Sequence, residues 1–180
     1  MAEPLETLVS CDLCGADDPQ PVLSKSGRSY VRCRQCGFVY VSPRVADPMA
    51  ENIETYQRGI LSCFKGMYLP RRQRVYRRLL RRFSRFRKTI RLLEIGSNVG
   101  GFLYAARQAG WDAVGVEPVE ACVRYARETH GLQAVAATLE ESGLAADTFD
   151  VIFSNAVFEH IESPSRTFTD PGKTNVLCAI

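Results

Sequence analysis

Residues 89 to 101 read TIRLLEIGSNVGG, a β-branched and leucine-rich run that stops at Gly96 and meets a second glycine at Gly100. A strand that must turn at once into a helix needs such a stop. Glycine accepts left-handed backbone and lets amides approach a ligand at a helix N-terminus. The same alternation continues downstream. GFLYAARQAG (101–110) has a helical period, WDAVGVE (111–117) reads as a strand ending in an acid, and a helix follows from Val119 to about Thr129. LQAVAAT (132–138) predicts a third strand, Phe149 to Ser154 a fourth, and Ala156 to Ile161 a short helix. Strand and helix in alternation predict an α/β fold with a parallel, doubly wound sheet. Right-handed crossovers then bring the ends of all four strands to one rim, where a ligand belongs.

The rim carries specific chemistry. Glu117 ends the second strand about twenty residues after the first glycine, where a carboxylate can accept two hydrogen bonds from a ribose diol. That pairing alone indicates an adenosine-containing cofactor. A diphosphate-binding turn calls for G-x-G-x-x-G, whereas here Asn98 takes the middle position and Glu94 precedes the first glycine. A carboxylate at position 94 repels a diphosphate and attracts a cationic amine. The pattern therefore fits S-adenosylmethionine, with its positive ammonium and sulfonium, better than NAD or FAD.

Four of the seven cysteines form Cys11-x2-Cys14 and Cys33-x2-Cys36, and each pair is followed by glycine (Gly15, Gly37). Two such turns let four thiolates converge on one zinc, and four protein ligands leave no open position, so the metal is expected to be structural. Two disulfides, an Fe–S cluster or a redox pair are the alternatives. No secretion signal favours the first and no βαβ context the last. Cys63, Cys122 and Cys178 have no partner at ligand spacing and read as small hydrophobes. Short β-like runs across 20–41 with a Ser-Gly turn suit a two- or three-stranded ribbon, nearly without an apolar core of its own.

Between the two regions a helical period runs from Ala50 to about Phe86, with Tyr56, Ile60, Phe64 and Met67 first. After Pro70, which separates two helices, the apolar stripe is Val75, Tyr76, Leu79, Leu80, Phe83 and Phe86. Arginines at 71, 72, 74, 77, 78, 81, 82 and 85 fill the remaining positions. A solvated outer face is the simplest account; a membrane surface, nucleic-acid phosphates or an acidic small molecule are the others. From Lys65 to Arg91 there are twelve basic and no acidic residues, while from Gly96 onward there are five basic and eleven acidic. The opening MAEPLETLVSCDLCG has no basic n-region or apolar h-region, and the chain has no run long enough to span a bilayer, so a cytoplasmic location is expected.

LLEIGSNVGGFLYAARQAGWDAVGVEP and FDVIFSNAVFEHIESP, with VRCRQCGFVYVSPR upstream, resemble the class I S-adenosylmethionine-dependent methyltransferases in which a zinc-binding knuckle precedes the catalytic domain. The resemblance covers about 160 residues. It implies a Rossmann-like sheet and three regions: a knuckle at 1–46, a helical, Arg-rich linker at 47–88, and a cofactor-binding domain at 89–180. It also implies a nucleotide motif at Glu94, Gly96, Ser97, Asn98 and Gly100, and a ribose-binding acid at Glu117 beside Pro118. Thr138 and Leu139, with Glu140 less securely, would lie on the adenine side and Asn155 at the methyl-donor end. His160 is the one conventional base candidate, though an Glu159-His160 pair that shapes the pocket is the simpler reading, and His130 reads as a helix-end residue.

In such relatives the segment matching EHIESP leads into a helix, a Leu-Lys-Pro-Gly-Gly turn and three more strands. Here SRTFTDPGKTNVLCAI follows instead. The expectation is a truncated sheet of order 3-2-1-4. Pro171-Gly172-Lys173 and Val176 to Ile180 echo the turn and fifth strand, with no helix between. The fourth strand is then expected to have an uncovered flank that invites self-association, and turnover is expected to suffer. The leading functional reading is methyl transfer to a small acceptor such as a sugar, lipid or quinone-type intermediate. Two alternatives stand beside it: an RNA or protein methyltransferase that recognises its substrate through the knuckle and arginine helix, with Tyr30, Phe38 and Tyr40 as stacking platforms, and a noncatalytic cofactor-binding fragment.

Overall fold

The computed structural model describes residues 6–45, 65–145, 147–161 and 163–169. The helix expected between residues 50 and 64, the tail from residue 170 on, and Cys63 and Cys178 lie outside the described residues.

The N-terminal region is a small β module. Strands β2 (Pro19–Lys25), β3 (Arg28–Cys33) and β4 (Val39–Val41) form an antiparallel meander in that order. Ser26 and Gly27 both adopt positive φ (52° and 76°) at the tip of the β2–β3 hairpin, as a two-residue turn matching the strand twist requires. A register skip between Pro21 and Leu23 inserts a bulge. A second pair, β1 (Glu6–Thr7) with β5 (Arg44–Val45), closes the module; two residues a side are too short for a periodicity signal. Every residue of β2 is exposed, and among the described residues the module's buried side chains are Cys11, Val31, Cys33 and Ser42. So little apolar burial cannot by itself offset the entropy of ordering the strands.

The second region is the expected α/β unit. Strands β6 (Arg91–Ile95), β7 (Asp112–Val116), β8 (Gln133–Val135) and β9 (Val151–Ser154) form one sheet of order β8-β7-β6-β9, every pair parallel. This is the order 3-2-1-4 that the family resemblance implied. Helices α1 (Pro70–Phe83), α2 (Gly101–Gln108) and α3 (Glu120–His130) connect and cover it. Leu92, Val151 and Phe153 point to the face that meets Leu80, Phe83, Phe102, Leu103 and Val123. Leu93, Ile95, Val116 and Ile152 alternate to the other face, where Leu139 joins them and Leu144, Phe149 and Val157 pack alongside.

Helix α1 begins at Pro70, which occupies its first turn, where the missing amide costs nothing. A 3-10 turn, Lys65–Tyr68, precedes it and another, Ser84–Phe86, ends it. Its arginines are exposed, as the stripe demands, but Val75 is not part of the inner face: it is 56% exposed. Gln73 takes an inner position instead, buried two turns before Leu80, with its side-chain amide donating to the carbonyls of Met67 (2.9 Å) and Gly101 (2.8 Å).

Two expectations about the far end need correction. A short helix, α4 (Pro164–Thr169), stands where none was expected between the EHIESP segment and the Pro-Gly turn. Pro164 at its start supplies the signal that length alone obscured. The predicted helix over 156–161 is a single 3-10 turn, Phe158–His160. All four side chains of β9 are buried, so its faces are covered, although no described strand pairs with its outer edge.

Candidate cofactor site and cysteine cluster

The turn after β6 is fastened to the end of β7. The amides of Gly96 and Ser97 both donate to the Val116 carbonyl, at 2.8 and 3.1 Å. Gly96, Asn98 and Gly100 adopt φ of 71°, 50° and 84°. Packing adds to the backbone requirement: a Cβ on Gly96 would overlap Val157, and one on Gly100 would lie 2.5 Å from Leu132 Cδ1. Val157 thus draws the segment after β9 over the glycine turn.

Glu117 is 8% exposed and spans the rim, accepting the Asn98 amide on one oxygen and the Val119 amide on the other, each at 3.0 Å. Its side chain therefore fixes the relation between the β6 and β7 turns before any ligand arrives, and each oxygen retains acceptor capacity for a diol. Burial raises its pKa, against the two amides that favour the charge.

Glu94 is buried between the sheet and the helices. The Leu103 amide, in the first turn of α2, favours its charged form, while Oε2 has no partner among the described residues. Burial pushes its pKa well above 4.5, and the Glu117 charge adds to this. An orphaned carboxyl oxygen at the end of β6 is a place for a cationic or hydrogen-bonding group. The hydroxyls of Ser97 and Ser154 are likewise buried at the strand ends without partners among the described residues. Sequence reasoning did not single out Ser154, the last residue of β9; a polar residue closing the otherwise apolar DVIFS run was its signal.

The other expected residues spread along the same rim. Pro118 is half-buried between Glu117 and Val119. Thr138 is half-buried, its amide and hydroxyl both donating to Glu141 Oε2 (3.3 and 3.0 Å), and Leu139 is buried in the second apolar cluster. Asn155 is exposed directly after β9, beside exposed Ala156 at φ 54°. His160 closes the 3-10 turn through its amide to the Val157 carbonyl, 2.8 Å. His130 is drawn into an aromatic cluster, stacked on Tyr68 at 3.9 Å between ring centres with Tyr104 and Tyr125 edge-on. Tyr68 donates its hydroxyl to the Val99 carbonyl, so the residues before α1 brace the glycine turn from behind.

In the β module the four cysteine sulfurs lie within 4.8 Å of one another. Cys11 and Cys36 are 3.5 Å apart and Cys14 and Cys33 3.6 Å, and none is in a disulfide. Sulfurs at the corners of a tetrahedron with metal–sulfur bonds of about 2.3 Å would be about 3.8 Å apart, close to these values. The Cys36 and Gln35 amides favour the Cys33 thiolate and lower its pKa to about 7, whereas burial raises that of Cys11 against the amides of Cys14 and Leu13.

A family described as a methyltransferase domain matches residues 68–171. No curated protein matches the chain. Among solved structures, magnesium protoporphyrin IX methyltransferase from Synechocystis PCC 6803, with S-adenosylmethionine bound, is 14% identical with a TM-score of 0.53, over 65% of this chain and 65% of its own. The plantazolicin methyltransferase BpumL, in complex with a triazolic desmethylPZN analogue and SAH, is 19% identical with a TM-score of 0.53, over 73% of this chain and 56% of its own. The chain thus spans less than two thirds of either structure, and at these identities the likeness is one of fold.

Proposed function

From the premise that this chain belongs to the methyltransferase-domain family, we propose that it binds S-adenosylmethionine at the β6–β7–β9 rim and transfers its methyl group to a small-molecule acceptor. The observation that carries the proposal is the rim itself. A carboxylate on the β7 end braces the glycine turn, while buried acceptors on Glu94, Ser97 and Ser154 are left without protein partners among the described residues.

Bound there, S-adenosylmethionine supplies a methyl carbon activated by positive sulfur. Glu117 would take the ribose hydroxyls, Thr138 and Leu139 the adenine side, and the turn from Gly96 to Gly100 the amino-acid portion, with Pro118 and Asn155 bordering it. The protein's own task is alignment and exclusion of water, since displacement at such a carbon depends chiefly on holding the acceptor in line. His160 stands in the segment that borders the acceptor side and is the candidate for taking a proton from an acidic acceptor.

The cysteine cluster is proposed to hold one structural zinc through Cys11, Cys14, Cys33 and Cys36. Four thiolates saturate it, so it contributes to folding and not to the methyl step.

Transfer of a labelled methyl group from S-adenosylmethionine to a panel of sugar, lipid and quinone-type acceptors tests the reading. Label in a small acceptor, lost on Glu117→Ala, is the expected result. Label in RNA or protein alone would overturn the acceptor class.

A further inference from the structure

Two distant parts of the chain meet at Asp12. This residue lies inside the first Cys-x2-Cys turn, between Cys11 and Cys14. Its Oδ1 accepts the Ser163 hydroxyl at 2.6 Å and its Oδ2 accepts the Ser165 amide at 2.8 Å, across more than 150 positions. Ser163 directly precedes α4, and Ser165 is its second residue. The second amide of a helix is the one that the side chain just before the helix ordinarily accepts. Here Ser163 gives its hydroxyl to Asp12, and Asp12 takes the amide, so the cap comes from the cysteine module.

We infer that Asp12 is a positioning residue through which metal binding in the cysteine cluster anchors the segment between β9 and α4. This rests on the zinc reading above. The near end of that segment is fixed by β9 and by Val157 against Gly96. Its far end is fixed by Asp12. Between them lie Asn155 and His160, so both ends of the stretch that borders the acceptor side are tied down, one of them through the metal turn.

The turn from Cys11 to Gly15 owes its shape to Cys11 and Cys14. The Gly15 amide donates to the Cys11 carbonyl at 2.7 Å and the Cys11 amide to the Ala16 carbonyl at 2.9 Å, but the module buries too little else to hold this shape once the thiolates lose their common ligand. Loss of metal therefore releases Asp12, and with it the cap on α4.

Hydrogen exchange on the full chain, with metal content measured in parallel, tests the link. In the zinc-loaded protein the Ser165 amide is protected. Removing zinc with a chelator, or substituting Asp12→Ala with zinc still bound, speeds its exchange about ten- to a hundred-fold, the loss expected for a hydrogen bond to a carboxylate. Amides of β6 and β7 stay protected, and Asp12→Asn, which retains an acceptor oxygen, restores part of the protection. Unchanged Ser165 exchange in Asp12→Ala would overturn the anchor. A fast Ser165 amide in Asp12→Ala but not after chelation would overturn the metal link. Absence of bound zinc in the purified protein would instead refute the zinc reading itself, while the Asp12→Ala comparison still decides the contact.

Discussion

Glu94 and Glu117 are two carboxyls buried at one rim for different ends. Glu117 accepts two amides and is proposed to take a ribose; Glu94 Oε2 has no partner among the described residues. Because burial raises the folded-state pKa of Glu94 above 4.5, the protonated form is the one that folding favours. Its contribution is complete below that ordinary value and is lost as the pH rises through the folded pKa. Glu94→Gln, which cannot ionise, should therefore raise Tm relative to the parent at about pH 7.5 and raise it less at about pH 4.5. Equal shifts at both pH values would mean that Glu94 has the same pKa folded and unfolded, so that burial does not favour its protonated form. Glu117→Ala should weaken cofactor binding by about 1.5–3 kcal/mol for each ribose hydrogen bond lost. It should also loosen the turn, because the Asn98 and Val119 amides lose their acceptor. Calorimetric affinities equal to the parent would place the ribose elsewhere.

At the scale of elements, the strand–turn–helix alternation and the two CxxCG turns were legible because each repeats a strong local signal. Residues that act between elements were not. Gln73 reads as one more polar position in an arginine-rich helix, yet it ties α1 to the turn before it and to the first residue of α2. Gln73→Leu keeps the volume but strands two carbonyls, and should cost about 1–3 kcal/mol in denaturant unfolding. A loss below about 0.5 kcal/mol, the level of an ordinary surface change, would show that α1 docks through Leu80 and Phe83 alone. Asp12 escaped notice for a related reason: its partners lie at the other end of the chain, and the six-residue α4 has no periodicity long enough to read. The β module makes the opposite case, since its cysteine spacing was more informative than its strands. Cys33→Ser should release zinc and unfold the module while the parallel sheet stays cooperative. Stoichiometric zinc in that variant, measured by metal analysis, would contradict a four-thiolate site.

For the whole molecule, the β module meets the parallel α/β unit where Asp12 contacts Ser163 and Ser165. No helix among the described residues is long and apolar enough to cross a membrane. The rim position was legible from the glycine turn and the acid after the second strand, whereas the strand order followed only from the family resemblance. The fit of Val157 over Gly96 and the Ser154 hydroxyl, without a partner among the described residues, depend on tertiary packing that no local pattern encodes. The central claim is that this rim is built for an adenosyl amino acid and not for a dinucleotide. Titration calorimetry of the 180-residue chain with S-adenosylmethionine, its demethylated product and NAD tests it most directly. The account predicts one site per chain, similar affinities for the first two ligands, whose adenine, ribose and amino-acid groups are shared, and loss of both in Gly96→Val. Tighter binding of NAD than of S-adenosylmethionine, or no heat with either adenosyl ligand, would contradict it.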